Sequence, residues 1–289
     1  MNGGPAHTVV GTIMMKKTYT FSHGNSPILI SIPHAGTVIP KNISCNMTPN
    51  ALKMPDTDWH LPILYDIAKA YDVSVLSAQY LRYVIDLNRS PDDTSLYPGQ
   101  DTTGLCTIDT FNREPLYLEG KYPDKTEIKS RIDQFWKPYH NKLESELKRI
   151  HEIHGIALLW DAHSIASHVP RFFNGQLPDL NFGTVDIQSC DESLQEALEI
   201  SMQKSLHAKK YSHVFNGRFK GGYITRHYGM PTINIHAIQL EISQCIYMQE
   251  KPPYKYEPEL ANYLKYLLGD LLETCLAWAN CHKESELSV

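Results

Sequence analysis

Two histidines in this chain stand where short apolar runs stop. His34 follows Pro27-Ile28-Leu29-Ile30-Ser31-Ile32, with a glycine two residues on, and His163 lies at the end of GIALLWDAHS, residues 155–164. Runs this short and this apolar predict buried strands, whose carboxyl ends are where open α/β sheets place their chemistry. A single histidine there is better explained by a hydrogen bond to a core neighbour, but two on separate strands predict a shared metal ion. The stretch PDTDWH, residues 55–60, adds carboxylates. Asp56 or Thr57 can cap the helix expected next, whereas Asp58, one turn inside, can complete the three protein ligands that catalytic zinc prefers. Imidazole and carboxylate suit several divalent ions, so zinc is the expectation and the native metal stays open.

Two further features point to an enzyme. Asn88-Arg89 follows a strand-like run at 81–87, and an arginine fork beside an amide can grip a carboxylate bidentately, although Asp92 and Asp93 are alternative partners for Arg89. Glu241 sits in the middle of the apolar run HAIQLEIS, where a carboxylate is costly unless it is catalytic or in a structural ion pair. Two histidines, an aspartate, an Asn-Arg clamp and a buried glutamate are the parts of a zinc amide hydrolase. The metal acidifies a water, the glutamate takes its proton and returns it to the leaving amine, and the arginine fixes the carboxylate of an acyl-amino-acid substrate. Arg113, in the Gly-, Pro- and Thr-rich stretch 95–122, is a second candidate anion contact or simply a variable loop residue. The stretch FKGGYITRHYG, residues 219–229, has paired glycines for close backbone approach but not the order of a phosphate-binding loop.

The elements that must position these groups follow from periodicity. Strands are expected at 27–32, 73–80, 81–87, within 177–184, and at 155–164 and 236–243. Trp59, Ile63, Leu64, Ile67, Ala68 and Tyr71 predict a helix after Asp56, and apolar residues at spacings of three and four predict a long one over 126–154, kinked at Pro138 and ended by Gly155. Asp191 caps a helix bearing Leu194, Leu198, Met202 and Leu206, and 257–281 forms a closing helix. The expected fold is a single α/β domain over 1–289 with a mixed, partly parallel central sheet and helices on both faces. Residues 1–17 read as a loose arm and 283–289 as a frayed tail.

Composition narrows the function classes. With 42% hydrophobic residues in 289 the chain can bury a substantial core, and a net charge of -5 with no basic stripe argues against a nucleic-acid partner. No run approaches the length of a spanning helix, and the first residues lack the order of a signal peptide. Six cysteines without paired spacing argue against a disulfide framework and for a reducing cytoplasm. The expected partner is a small molecule; oligomeric state is not legible.

Over about 27–248 the chain also resembles a known family, the N-formylglutamate amidohydrolases (deformylases) of histidine degradation, through SIPHAGTVIP, PDTDWH, RYVIDLNRSPDD, LYPGQDTTGLC, LWDAHSI, LPDLNFGT, NGRFKGGYITRHYG and QLEISQC. That family is similar in turn to zinc carboxypeptidases and aspartoacylases. The resemblance implies a zinc carboxypeptidase-like fold and hydrolysis of N-formyl-L-glutamate to formate and L-glutamate. It implies His34, Asp58 and His163 as metal ligands, Asn88 and Arg89 as the carboxylate clamp and Glu241 as base. Arg82 resembles the arginine that polarises the scissile carbonyl in aspartoacylases. Carboxypeptidases take two ligands from H-x-x-E, and no acid lies three residues after His34, so Asp56 remains the alternative to Asp58. From chemistry alone, Arg226 could bind the second carboxylate of a glutamate substrate, and Asp161, on the same side of its strand as His163, could orient a ligand histidine. The alternatives are a hydrolase of another N-acyl amino acid, or a non-catalytic ligand-binding protein on the same fold.

Overall fold

The computed structural model describes residues 17–95, 99 and 101–286. The expected N-terminal arm, apart from Lys17, and the last three residues of the expected tail lie outside these. Seven strands form one sheet: β1 (Tyr19–Ser22), β2 (Ile28–Ile32), β3 (Ser74–Ala78), β4 (Ala157–Ile165), β5 (Leu180–Gly183), β6 (His213–Phe215) and β7 (Ile235–Ser243), in the order β1-β3-β2-β4-β7-β5-β6. The sheet is mixed. β3, β2, β4 and β7 run parallel, β1 pairs antiparallel with β3, and β5, parallel to β6, pairs antiparallel with β7. From β2 the chain crosses to one side to make β3 and later returns to the other side of β2 as β4. The strand order therefore reverses between β2 and β4, and a crevice opens at their carboxyl ends.

Helices cover both faces. α1 (Lys41–Ser44) and α2 (Leu61–Leu64) are single turns, and α2 continues as a 3-10 stretch, Tyr65–Tyr71. α3 (Lys125–Arg131), a π-helical turn (Ile132–Trp136) and α4 (Lys137–His154) form one continuous helical stretch. α5 (Glu192–Lys204), α6 (Tyr223–Tyr228) and α7 (Pro258–Glu286) complete the set. One face of the sheet packs Ile30, Trp160, Leu240 and Ile242 against Leu61, Leu198, Leu268 and Leu272; the other packs Leu29 and Leu159 against Tyr139, Leu143, Leu147 and Ile224. Among the described residues no helix is long and apolar enough to cross a membrane.

The second face changes character partway along. β4 and β7 present Leu159 and Ala237 to the core, then, on the same side, Asp161 and His163 beside Gln239 and Glu241. Polar groups in mid-sheet are tolerable only where partners or a ligand meet them, so the site is written into the strand register.

Several expectations are corrected. The apolar run at 81–87 is not a strand: Val84 donates to the Leu81 carbonyl and Asp86 N–H to that of Leu105, so its backbone is satisfied by turns while Leu81, Tyr83 and Val84 enter the core. Neither Asp56 nor Thr57 caps α2, whose N-cap is His60 at φ 64°. The irregularity in the long helix precedes Pro138 as the π turn, because proline has no N–H for the carbonyl four residues back. Asp124 starts that stretch by accepting Glu127 N–H, and Gly155 ends it at φ 74°. Leu206 falls beyond α5 and is 76% exposed. α7 runs on to Glu286, past the point where a frayed tail was expected.

Candidate active site

His34 lies two residues beyond β2, and Gly36 lets the chain after it press against the next segment, since a Cβ there would sit 2.2 Å from the Tyr80 carbonyl oxygen. His163 lies inside β4, two residues before its end, opposite Glu241 of β7. Asp58 reaches both histidines because its own N–H donates to the His34 carbonyl and its Oδ2 accepts Ser164 N–H, while Gln244 holds the neighbouring Thr57 carbonyl. One side-chain donor atom from each of His34, Asp58 and His163 lies within 4.8 Å of the others, and all three residues are buried. Asp58 Oδ2 is 3.2 Å from His163 Nδ1 and 3.9 Å from His34 Nδ1.

The other nitrogen of each imidazole is committed. His34 Nε2 lies 2.8 Å from Asp86 Oδ1, and His163 Nε2 lies 3.2 Å from Asp161 Oδ2 and 2.9 Å from Asn88 Nδ2. With Nε2–H donated to a carboxylate, each ring presents the lone pair of Nδ1, which is how proteins orient histidine toward a cation. His34 Nδ1 and Asp58 Oδ1 are buried with no hydrogen-bond partner among the described residues. Two imidazole nitrogens, that of His34 without a hydrogen-bond partner, and a carboxylate fit a divalent cation of the zinc type. Asp56, the alternative ligand, is elsewhere: its Oδ2 accepts Tyr83 O–H and Phe111 N–H.

Asp86, which the sequence reading passed over, joins three groups. Its Oδ1 accepts from His34 and from Asn88 N–H, and its Oδ2 lies 2.7 Å from Arg82 Nη2. Burial alone would raise its carboxyl, but His34, Arg82 and Arg89 outweigh that and hold it well below the usual carboxylate range. Arg82 is thereby fixed, its guanidinium over the Phe111 ring and 3.9 Å from Asp58 Oδ1.

A cavity opens onto this cluster. His34, His163, Arg82, Asn88, Arg89 and Glu241 all line it. Burial lifts the Glu241 carboxyl to about 7; Asp58 and Asp161 push the same way, and His163 and Arg82 pull it down. Gln239 donates to Glu241 Oε2 across 3.3 Å while its own carbonyl accepts Gly222 N–H, which fixes the orientation of its amide. Asn88 is held by Ile224 N–H on Oδ1 and by Asp161 Oδ2, 3.5 Å from Nδ2. Arg89 donates to the Thr103 carbonyl and hydroxyl and to the Asn88 carbonyl. No carboxylate among the described residues is in ion-pair contact with it, so the expected alternatives Asp92 and Asp93 are not its partners.

The other two expected substrate contacts are not in the cavity lining. Arg113, 65% exposed, pairs with Asp101, and Arg226 Nε donates to the Gly221 carbonyl. Arg218 does line the cavity, as do Phe172 and Phe219. Sequence offered no signal for Arg218 beyond its place in NGRFKGG. The Ser164 hydroxyl accepts from Tyr247 O–H at 2.8 Å.

The family model described as N-formylglutamate amidohydrolase matches residues 26–248. The N-formylglutamate deformylase of Pseudomonas putida is 49% identical over 264 residues, covering 91% of this chain and 97% of the relative. That of Pseudomonas aeruginosa is 47% identical over 264 residues, covering 91% and 98%. Among solved structures, an N-formylglutamate amidohydrolase from Ralstonia eutropha JMP134 superposes with a TM-score of 0.76 at 21% identity, covering 93% of this chain and 99% of that one. A gene product of Agrobacterium tumefaciens gives 0.66 at 14%, covering 90% and 96%. At these identities the two structures attest the fold.

Proposed function

The chain belongs to the N-formylglutamate amidohydrolase family, and from that membership we propose that it hydrolyses N-formyl-L-glutamate to formate and L-glutamate with a divalent cation, zinc, held by His34, Asp58 and His163. The observation that carries this reading is the convergence of two carboxylate-backed imidazoles and Asp58 on one point beside Glu241, at a cavity that Arg89 also lines. A cation held there supplies Lewis acidity toward the formyl carbonyl and toward water.

The chain's own groups do the rest. Glu241, held by burial near neutrality, takes a proton from the attacking water and returns it to the amine as the C–N bond breaks. Arg82, pinned by Asp86, points positive charge at the formyl oxygen as it gains negative charge. Arg89, with Asn88, grips the α-carboxylate and sets the amide between Glu241 and the cation site. Asp86 and Asp161 hold the two ligand rings in register. We place the reaction in histidine degradation in a reducing cytoplasm, a reading supported by six free thiols.

The test is formate release from N-formyl-L-glutamate by the purified protein before and after dialysis against a chelator. Turnover lost on chelation and restored by added Zn2+ is expected. Undiminished turnover without metal would remove the cation from the reaction, and no formate release from a metal-loaded protein would remove the hydrolase reading itself.

A further inference from the structure

Thr103 occupies one side of the Arg89 guanidinium. Its carbonyl accepts Nε–H at 2.8 Å and its hydroxyl accepts from Nη2 at 3.1 Å, while the Asn88 carbonyl accepts from Nη1 at 2.9 Å. Nε and Nη2 form one edge of the planar group, and Thr103 fills that edge with two contacts. The second hydrogen of Nη2 lies on the edge that Nη2 shares with Nη1. A carboxylate pairing with Arg89 through two nitrogens therefore meets this end edge. Thr103 is itself only 4% exposed and, with Arg89, Asp101 and Thr102, lines the cavity.

Both partners are fixed from outside the pair. The main chain around Asn88 is held on either side, by Trp136 Nε1–H on the Arg89 carbonyl at 3.0 Å and by His140 Nε2–H on the Leu87 carbonyl at 2.9 Å. The segment bearing Thr103 is anchored on either side as well. Arg171 pairs with Asp101 and Asp109 and donates to the Thr110 carbonyl. Leu105 N–H donates to Asp93 Oδ1, and the Leu105 carbonyl accepts Asp86 N–H at 2.7 Å. With both main chains held, the side-chain conformation of Arg89 is set by its contacts with Thr103 and the Asn88 carbonyl. A fork ordered before the ligand arrives spares the loss of rotamer freedom that ordering on binding would cost.

Building on the function proposed above, we propose that Thr103 is a positioning residue for substrate binding. It presets the Arg89 fork so that the Nη1–Nη2 edge receives the α-carboxylate of the N-formyl amino acid. Thr103 acts through Arg89 and needs no contact with the substrate.

The experiment measures kcat and KM on N-formyl-L-glutamate for wild type, Thr103→Val, Thr103→Ser, Arg89→Gln and the double variant Thr103→Val with Arg89→Gln, with melting temperatures alongside. Valine keeps the shape and the backbone carbonyl and removes the hydroxyl. Thr103→Val should raise KM about 5- to 30-fold and leave kcat within about twofold, because a contact that serves binding alone acts on KM. Thr103→Ser, which keeps the hydroxyl, should return KM to near the wild-type value. In the Arg89→Gln background the valine substitution should add nothing, since the group it positions is gone. An unchanged KM in Thr103→Val, a serine variant as impaired as the valine one, or a valine effect of the same size with and without Arg89 would overturn the assignment. Those outcomes leave deformylation intact. A wild type that releases no formate would overturn the function itself, and a wild-type KM in Arg89→Gln would remove the carboxylate clamp on which the assignment rests.

Discussion

His163 of β4 and Glu241 of β7 face each other directly in a parallel ladder, with Asn181 of β5 opposite Glu241 on its other side. The histidine and the carboxylate to which we assign metal binding and proton transfer are thus fixed relative to one another by backbone register. Gln239, one register step back, steadies the carboxylate. Shortening the side chain in Glu241→Asp keeps the charge but withdraws it toward the strand. We expect kcat to fall about 100-fold with metal content and KM little changed. A retained kcat would show that the carboxylate's reach does not matter.

Asp86 ties His34, Arg82 and the Asn88 backbone into one unit. Asp86→Asn should weaken Zn2+ binding about 10- to 100-fold, read by competition with a chromophoric chelator, because the His34 ring loses the anion that fixes its tautomer. Unchanged affinity would mean that packing alone orients the ring.

Gly222 lies against Asn88, and a Cβ there would come within 2.2 to 2.5 Å of the Asn88 amide. Asn88 cannot easily yield, being held by Ile224 and Asp161. Gly222→Ala should cost about 1–3 kcal/mol of stability and raise KM. Adding Asn88→Ala should recover the melting temperature without recovering KM. If the double variant stays as unstable as the single one, the clash is not with Asn88.

His140 of α4 stacks on Trp136 with ring centroids 3.7 Å apart, lies within hydrogen-bond distance of the Tyr228 hydroxyl through Nδ1, and donates Nε2–H to the Leu87 carbonyl just ahead of Asn88. Burial pushes its pKa down to about 3; the Leu87 contact opposes and His227 adds to the fall. An unfolded histidine titrates near 6.5, so below that pH the unfolded chain takes up a proton that the native state refuses. Stability from this group is intact above about pH 6.5 and is lost on acidification toward about pH 3, with a slope approaching 1.4 kcal/mol per unit, roughly one proton. Denaturant unfolding of wild type and His140→Gln across this window should differ by that slope. Parallel curves would contradict a neutral buried imidazole.

Much of this architecture was legible because the central strands are buried on both faces. Short, mostly apolar runs marked β2, β4 and β7, and His34 just beyond the first and His163 and Glu241 within the others stood out as groups that a core does not tolerate without cause. The long helical stretch ending at Gly155 was legible from its period. The segment at 81–87 was misread because apolar content reports burial, whereas strand formation depends on where the backbone hydrogen bonds go, and these go to Leu105 and to the segment itself. Asp86 escaped notice because its contact with His34 is made across 52 residues of sequence. The three-residue edge strand β6 is too short to carry a pattern.

The central claim is that one cation at His34, Asp58 and His163 supports hydrolysis in which Glu241 moves the proton. It is tested most directly by titrating metal-free wild type and Glu241→Gln with Zn2+ while recording bound metal and formate release from N-formyl-L-glutamate. Both proteins should bind one equivalent, and only wild type should turn over, its activity rising to a break at that same equivalent. Activity without metal, a break elsewhere, or full turnover by Glu241→Gln would contradict the account.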